Sequence, residues 1–147
     1  MTDDTHTTSS ITHCRVITLA QHHHQNGNLS VVESCNELPF SVRRVYYLYD
    51  VPGGVERGGH SHHHCLEFIV AASGSFDITI DDGAATQTVH LNRSNAGLLV
   101  APGIWRTLHN FSSGSVCLVV ASETFCEADY VRSYDNFLKL TASKRNQ

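Results

Sequence analysis

The sequence has no CxxC pair among its five cysteines, no excess of basic residues and no apolar run long enough to span a membrane. Each absence removes a class of protein. An odd set of cysteines (Cys14, Cys35, Cys65, Cys117 and Cys126) without paired spacing argues against a disulfide framework or a structural zinc knot. Ten Lys plus Arg stand against fourteen Asp plus Glu, a formal net charge of -4. No basic stripe could track a phosphate backbone, so nucleic acid is not expected as a partner. A few local arginines can still bind a small anion. Met1 is followed by polar residues, not by a basic stretch and then an apolar one. Neither a secretory signal nor a membrane anchor is expected, and the reading is a reduced, cytoplasmic protein. Proline is scarce as well, and Pro39, Pro52 and Pro102 all fall at turn signals.

What is present fits one domain. A chain of 147 residues with 41% hydrophobic content can bury a core without staples. Residues 1–12 are polar and Thr/Ser-rich and are expected as a flexible N-terminus, 13–140 as the domain, and 141–147 as a flexible C-terminus. Eleven histidines are unusual for the length. His22, His23 and His24 precede the turn signal Gln25-Asn26-Gly27-Asn28 and are expected on a surface loop. Period-two alternation and β-branched content predict strands over 29–33, 41–49, 65–71, 75–80, 86–91, 97–100, 105–110 and 116–121. Nothing before residue 123 has helical periodicity, and 127–140 reads equally as a short helix or as extended chain. Short strands at regular spacing with Gly-rich turns predict an all-β barrel, either a jelly roll or an OB- or SH3-like barrel.

The spacing of polar residues decides between these. Gly54 is followed after five residues by His60-Ser61-His62, then after four by Glu67, then after six by Gly74. This pattern resembles the first motif of the cupins and predicts a double-stranded β-helix (jelly-roll) barrel. His60 and His62 lie two apart, so on a strand they point to one side. In metal-binding cupins such a trio grips a divalent cation, and a second motif adds a histidine four residues before an asparagine. Here that position is Arg106, ahead of Asn110. Arginine offers donors only and cannot ligate a metal. His109 would replace it only on a slipped strand register. The expectation is no metal, although three protein ligands could still form an open site. Two imidazoles, a carboxylate and a guanidinium around one cavity suit proton transfer on an anionic or carbonyl-bearing ligand.

Several further stretches extend the resemblance: Pro39-Phe40-Ser41-Val42-Arg43-Arg44-Val45-Tyr46-Tyr47, Arg57-Gly58-Gly59-His60-Ser61-His62, Asp81-Asp82-Gly83, Asn110-Phe111-Ser112-Ser113, Leu118-Val119-Val120-Ala121-Ser122-Glu123 and Glu127-Ala128-Asp129-Tyr130-Val131-Arg132-Ser133-Tyr134-Asp135. Over residues 28–138 the chain resembles the nucleotide-sugar 3,4-ketoisomerases (WxcM-like cupins). The family's usual H-A-H-K-K-L-E-Q reads His60-Ser61-His62-His63-His64-Cys65-Leu66-Glu67-Phe68 here, without the lysines and the glutamine. The resemblance implies a homodimer that needs no cofactor and acts on dTDP-4-keto-6-deoxy-glucose, a dTDP-linked keto-deoxysugar. It implies that His60 and His62 are the active-site histidines, with Tyr46 or Tyr47 and Arg57 lining the same cavity. Rival readings are a nucleotide-sugar 3,5-epimerase and a non-catalytic sugar-binding cupin.

The implied chemistry assigns roles. A neutral His60 or His62 removes the acidified C3 hydrogen of the 4-keto sugar, and a tyrosine hydroxyl or Arg106 stabilises the enediolate oxygen. Imidazole needs little tuning for a base near pH 7. Glu67 either orients an imidazole or satisfies a buried donor. Arg43 and Arg44 face opposite ways, and Arg44 is taken as the one in the cavity. Trp105 stacks on the nucleotide base or packs in the core. Asp81 and Asp82 read as a turn.

Overall fold

The computed structural model describes residues 9–146. Twelve strands form in chain order: β1 (Arg15–Thr18), β2 (His22–His24), β3 (Gly27–Leu29), β4 (Arg44–Leu48), β5 (Arg57–His62), β6 (Glu67–Ser73), β7 (Phe76–Asp81), β8 (Thr86–Leu91), β9 (Ala96–Val100), β10 (Trp105–His109), β11 (Val116–Ala121) and β12 (Tyr130–Val131). One helix, α1 (Tyr134–Arg145), follows them. Two five-stranded antiparallel sheets run β1-β9-β6-β11-β4 and β12-β5-β10-β7-β8, and β2 and β3 form a separate hairpin. Non-sequential strand order in both sheets is the jelly-roll arrangement of a cupin.

The core lies between the sheets and contains Ile69, Phe76, Ile78, Ile80, Leu98, Val100, Leu108 and Val119. A second apolar cluster covers the other face of the first sheet, where Leu19, Leu38 and Phe40 lie over Phe68, Val70, Leu99 and Val120. That double cover explains why β6, β9 and β11 read as continuous apolar runs, whereas β4 and β10 alternate. On β4 the alternation sends Arg44, Tyr46 and Leu48 inward. On β5, the run Arg57 to His60 lines the cleft.

Several expectations need correction. The predicted strand over 29–33 ends at Leu29, and residues 30–33 take no strand pairing. The triple histidine is exposed, as a surface segment should be, but it forms β2 of a hairpin instead of a loop. β1 was not expected and pairs with β9. Residues 127–140 combine both readings. Glu127–Asp129 is a 3-10 turn, β12 is extended, and α1 begins at Tyr134. The helix runs through Arg145, where a free end from residue 141 was expected. Ser133 caps it by accepting from the Asn136 N–H, and Phe137 and Thr141, one turn apart, are buried. At the N-terminus, Ile11–His13 forms a 3-10 turn, and the Ser9 hydroxyl donates to the Pro102 carbonyl at 2.9 Å. Residues 1–8 of the expected flexible start lie outside the described residues. No helix among those described is long and apolar enough to cross a membrane.

Candidate active site

A cleft of about 510 Å³ opens at one end of the barrel. The strand registers place its polar wall: Arg106 on β10 stands opposite His60 on β5, and Glu67 begins β6 beside Ala121 on β11, which in turn pairs with Arg44. The most buried part is an ion pair. Glu67 and Arg106 are each 1% exposed, and Arg106 Nε donates to Glu67 Oε1 at 2.7 Å. Arg106 also donates to the Gly58 carbonyl at 3.0 Å and to the Tyr46 hydroxyl at 2.8 Å, while Tyr46 donates to Glu67 Oε2. Gly58 has φ +71, and a Cβ there would strike the Arg106 guanidinium, so only glycine permits this approach.

The charges of this network are fixed by their neighbours. Burial acts to raise Glu67, but the adjacent Arg106 cation and the hydrogen bond it donates hold the carboxyl well below the usual range. Burial pushes the Tyr46 phenol up, and the Glu67 carboxylate adds to that. Both donors expected to face an enediolate hydrogen-bond to Glu67, so the carboxylate satisfies two buried donors.

The histidines lie beside this pair. His60 Nε2 and His62 Nε2 are 3.1 Å apart, and Glu67 Oε1 is 3.6 Å from the His62 nitrogen and 4.0 Å from that of His60. Only His60 lines the cleft; His62 stands behind it. Burial, reinforced by the Arg106 cation, lowers His60 to about 3, so it does not titrate near 7 as expected. It is a neutral imidazole throughout the physiological range. His62 Nδ1 faces Asp129 Oδ2 at 3.1 Å, and the Tyr130 ring lies against both imidazoles with centroids 4.9 and 4.3 Å away.

The remaining expected residues divide. Arg44 and Arg57 line the cleft, as does Tyr46 of the tyrosine pair. Arg44 Nε is buried with no hydrogen-bond partner among the described residues. Arg43 points away and meets Glu123 at the surface, 3.7 Å off. Tyr47 is 59% exposed beside Tyr49, on the face opposite the cleft. Trp105 also faces away and packs on Tyr134 and Phe137 of α1, with centroids 5.3 and 5.6 Å from its own, so it is packing and not a wall of the cleft. His109 bonds Thr79 at 2.8 Å, and the Arg106–His60 register leaves it no way into the site. Asp81 and Asp82 are turn residues that accept backbone N–H groups. Phe125, Asp129, Tyr130 and Arg132 were not assigned roles from sequence. The available signal is the extended reading of Asp129-Tyr130-Val131 past strand β11, where the chain returns to pair β12 with β5.

The family model FdtA: WxcM-like, C-terminal matches residues 12–142. The chain is similar to an enzyme named TDP-4-oxo-6-deoxy-alpha-D-glucose-3,4-oxoisomerase from Aneurinibacillus thermoaerophilus, 40% identical over 116 residues, which cover 79% of this chain and 84% of that protein. It is similar in structure to the WlaRB TDP-quinovose 3,4-ketoisomerase from Campylobacter jejuni, with TM-score 0.82 and 36% identity over 86% of this chain and 97% of that one. It is also similar to a histidine-to-asparagine mutant of the 3,4-ketoisomerase QdtA from Thermoanaerobacterium thermosaccharolyticum in complex with TDP-4-keto-6-deoxyglucose, with TM-score 0.87 and 30% identity over 88% and 94% of the two chains. A cupin barrel whose cleft holds a neutral histidine backed by a second one, and whose relatives bear these names, belongs to the FdtA (WxcM-like, C-terminal) family of sugar 3,4-ketoisomerases.

Proposed function

We propose that this enzyme converts TDP-4-keto-6-deoxy-glucose to the 3-keto sugar by histidine-mediated proton transfer, as a cytoplasmic homodimer. The observation that carries the reading is His60, an imidazole held neutral at the wall of a cleft that also presents Arg44, Arg57 and Arg132. The arginines suit the diphosphate of a sugar nucleotide. The imidazole suits the hydrogen at C3, which the neighbouring ketone acidifies. In the step proposed, the C3–H bond breaks, its proton goes to His60, and its electrons form the C3=C4 bond with the charge on the C4 oxygen. The C3 hydroxyl proton moves to that oxygen, and a proton delivered to C4 leaves the ketone at C3. The reaction is redox-neutral within the sugar and needs no external oxidant or reductant.

His60, His62 and Glu67 bring their ligand atoms within 4.8 Å of one another, as a metal-binding cupin would. They do not fit a divalent cation. Both Glu67 oxygens already accept from Arg106 and Tyr46, and the guanidinium would repel the ion. No step is therefore derived through a metal.

Incubation with TDP-4-keto-6-deoxy-glucose in deuterated water, with and without EDTA, tests the reading. NMR should identify a 3-keto product, formed at the same rate in both arms. A product epimerised at C3 and C5 would mean a 3,5-epimerase instead. Binding with neither exchange nor product would mean a sugar-binding cupin. Activity lost to EDTA and restored by one metal would overturn the metal-free reading.

A further inference from the structure

We infer that Asp129 is the positioning residue that sets the tautomers of the histidine pair, so that His60 meets the sugar through a bare Nδ1 and hands its other proton to His62. The inference rests on the ketoisomerase reading for its chemistry, and on geometry alone for the tautomers.

Asp129 is tied down as an acceptor. Its Oδ1 accepts the His64 N–H at 2.7 Å, and its Oδ2 accepts the Cys65 N–H at 3.2 Å. Its carbonyl accepts the His63 N–H at 2.9 Å. The carboxylate is thereby locked to the loop that follows β5, the strand that carries both histidines. With two backbone donors already on the carboxylate, the third contact, from His62 Nδ1 at 3.1 Å, places the ring proton on that nitrogen. The Nε2 of a neutral His62 is then a lone pair. It faces His60 Nε2 at 3.1 Å, where one proton fits between the two nitrogens and must belong to His60. That leaves His60 Nδ1 without a proton. Glu67 does not compete for the shared proton, because it lies 3.6 Å from His62 Nε2 and is engaged by Arg106 and Tyr46. The Tyr130 ring over both imidazoles fixes their tilt.

This arrangement resolves a difficulty in the chemistry. His60 is a poor place to keep a positive charge, being buried and close to the Arg106 cation. When the C3 proton arrives on His60 Nδ1, the proton on His60 Nε2 can move to His62 Nε2. The charge then rests on a ring flanked by Asp129 and Glu67, 3.1 and 3.6 Å away. Reversal of both transfers returns a proton to C4, so protons and electrons balance over the cycle. His62 and Asp129 act through His60 and need not touch the sugar.

The test starts with ¹⁵N-histidine NMR of the wild-type protein without substrate. His62 should carry its proton on Nδ1 and His60 on Nε2, and a protonated Nδ1 on His60 overturns the inference. This readout does not depend on whether the chain isomerises any sugar. A chain with these tautomers and no turnover would refute the functional reading and leave the tautomer assignment standing. The second arm is Asp129→Asn, whose amide can donate to His62 and invert its tautomer. Turnover should fall about 10²–10⁴-fold, with KM and TDP affinity changed by less than about 3-fold. The NMR signature of His62 should switch to Nε2–H. Near wild-type turnover in this variant, or lost turnover with unchanged tautomers, overturns the positioning role.

Discussion

At the scale of single residues, the site is a buried ion pair with a neutral imidazole beside it. The pair Glu67–Arg106 organises the wall: Arg106 lines the cleft, Glu67 lies behind it, and their hydrogen bonds go to Tyr46, to the Gly58 carbonyl and to each other. His60 is the residue whose chemistry and stability are coupled. Its value falls from an ordinary 6.5 to about 3 on folding, so the unfolded chain binds a proton in that range that the folded chain refuses. Its contribution is therefore complete above pH 6.5 and is lost as pH falls toward 3. Glu67 is also held low, and its stabilisation is lost only as pH drops below its ordinary 4.5, which leaves the interval between 6.5 and 4.5 to His60. Urea unfolding of wild type should lose up to about 1.4 kcal/mol per pH unit there, and His60→Asn should flatten that slope. The same variant should lose about 10²–10⁴-fold in kcat, with little change in TDP affinity. A wild-type slope retained in the variant, or near-normal turnover, would contradict the role given to this imidazole. The histidines were legible in the sequence because two residues of strand spacing bring two rings to one face. The depth of His60 was not, because burial and the nearness of Arg106 depend on strands far apart in the chain.

Strands and turns were legible where one force dominated. β8 and β11 have the limits that alternation and turn residues predict, 86–91 and 116–121. The segment 29–33 has strand-like residues but finds no partner, and β1, with only four residues, gave little periodicity to read. The helix was ambiguous because its buried positions are Phe137 and Thr141, and a threonine breaks the apolar stripe. Tyr46 and Tyr47 show what pattern alone leaves open. They face opposite ways by the pleat, and only the pairing of β4 with β11 decides which one enters the cleft. The two-sided cover of the first sheet makes a prediction at this scale. A Cβ on Gly97 in β9 would meet the Phe68 ring at 2.5 Å and the Ile69 carbonyl at 2.8 Å. Gly97→Ala should cost about 1–3 kcal/mol by chemical denaturation. Phe68 belongs to the outer cluster, on the face away from the cleft, so the folded variant should keep its kcat. A large loss of kcat at full stability would mean that the outer layer is coupled to the site.

For the whole molecule, the jelly roll and the position of its cleft followed from glycine, histidine and glutamate spacing, but the closing of that cleft by the end of the chain did not. The proposed homodimer belongs to this scale too. β4 is an edge of the first sheet, and Val45, Tyr47 and, just beyond it, Tyr49 are exposed there, a surface that a second copy would cover. Light scattering at micromolar concentration should give about twice the 16.2 kDa chain mass, and a mass of one chain would refute the dimer. The return of Asp129 and Tyr130 to the edge of β5 has a consequence for biosynthesis. A ribosome delivers a chain from its N-terminus, so every strand of both sheets except β12 has left the exit tunnel before these two residues emerge. The nascent barrel already holds His60 and His62 but lacks the carboxylate that orients them. On the proposed roles, the site stays incomplete until Asp129 has emerged, and a message cut short after residue 121 yields both histidines without that carboxylate.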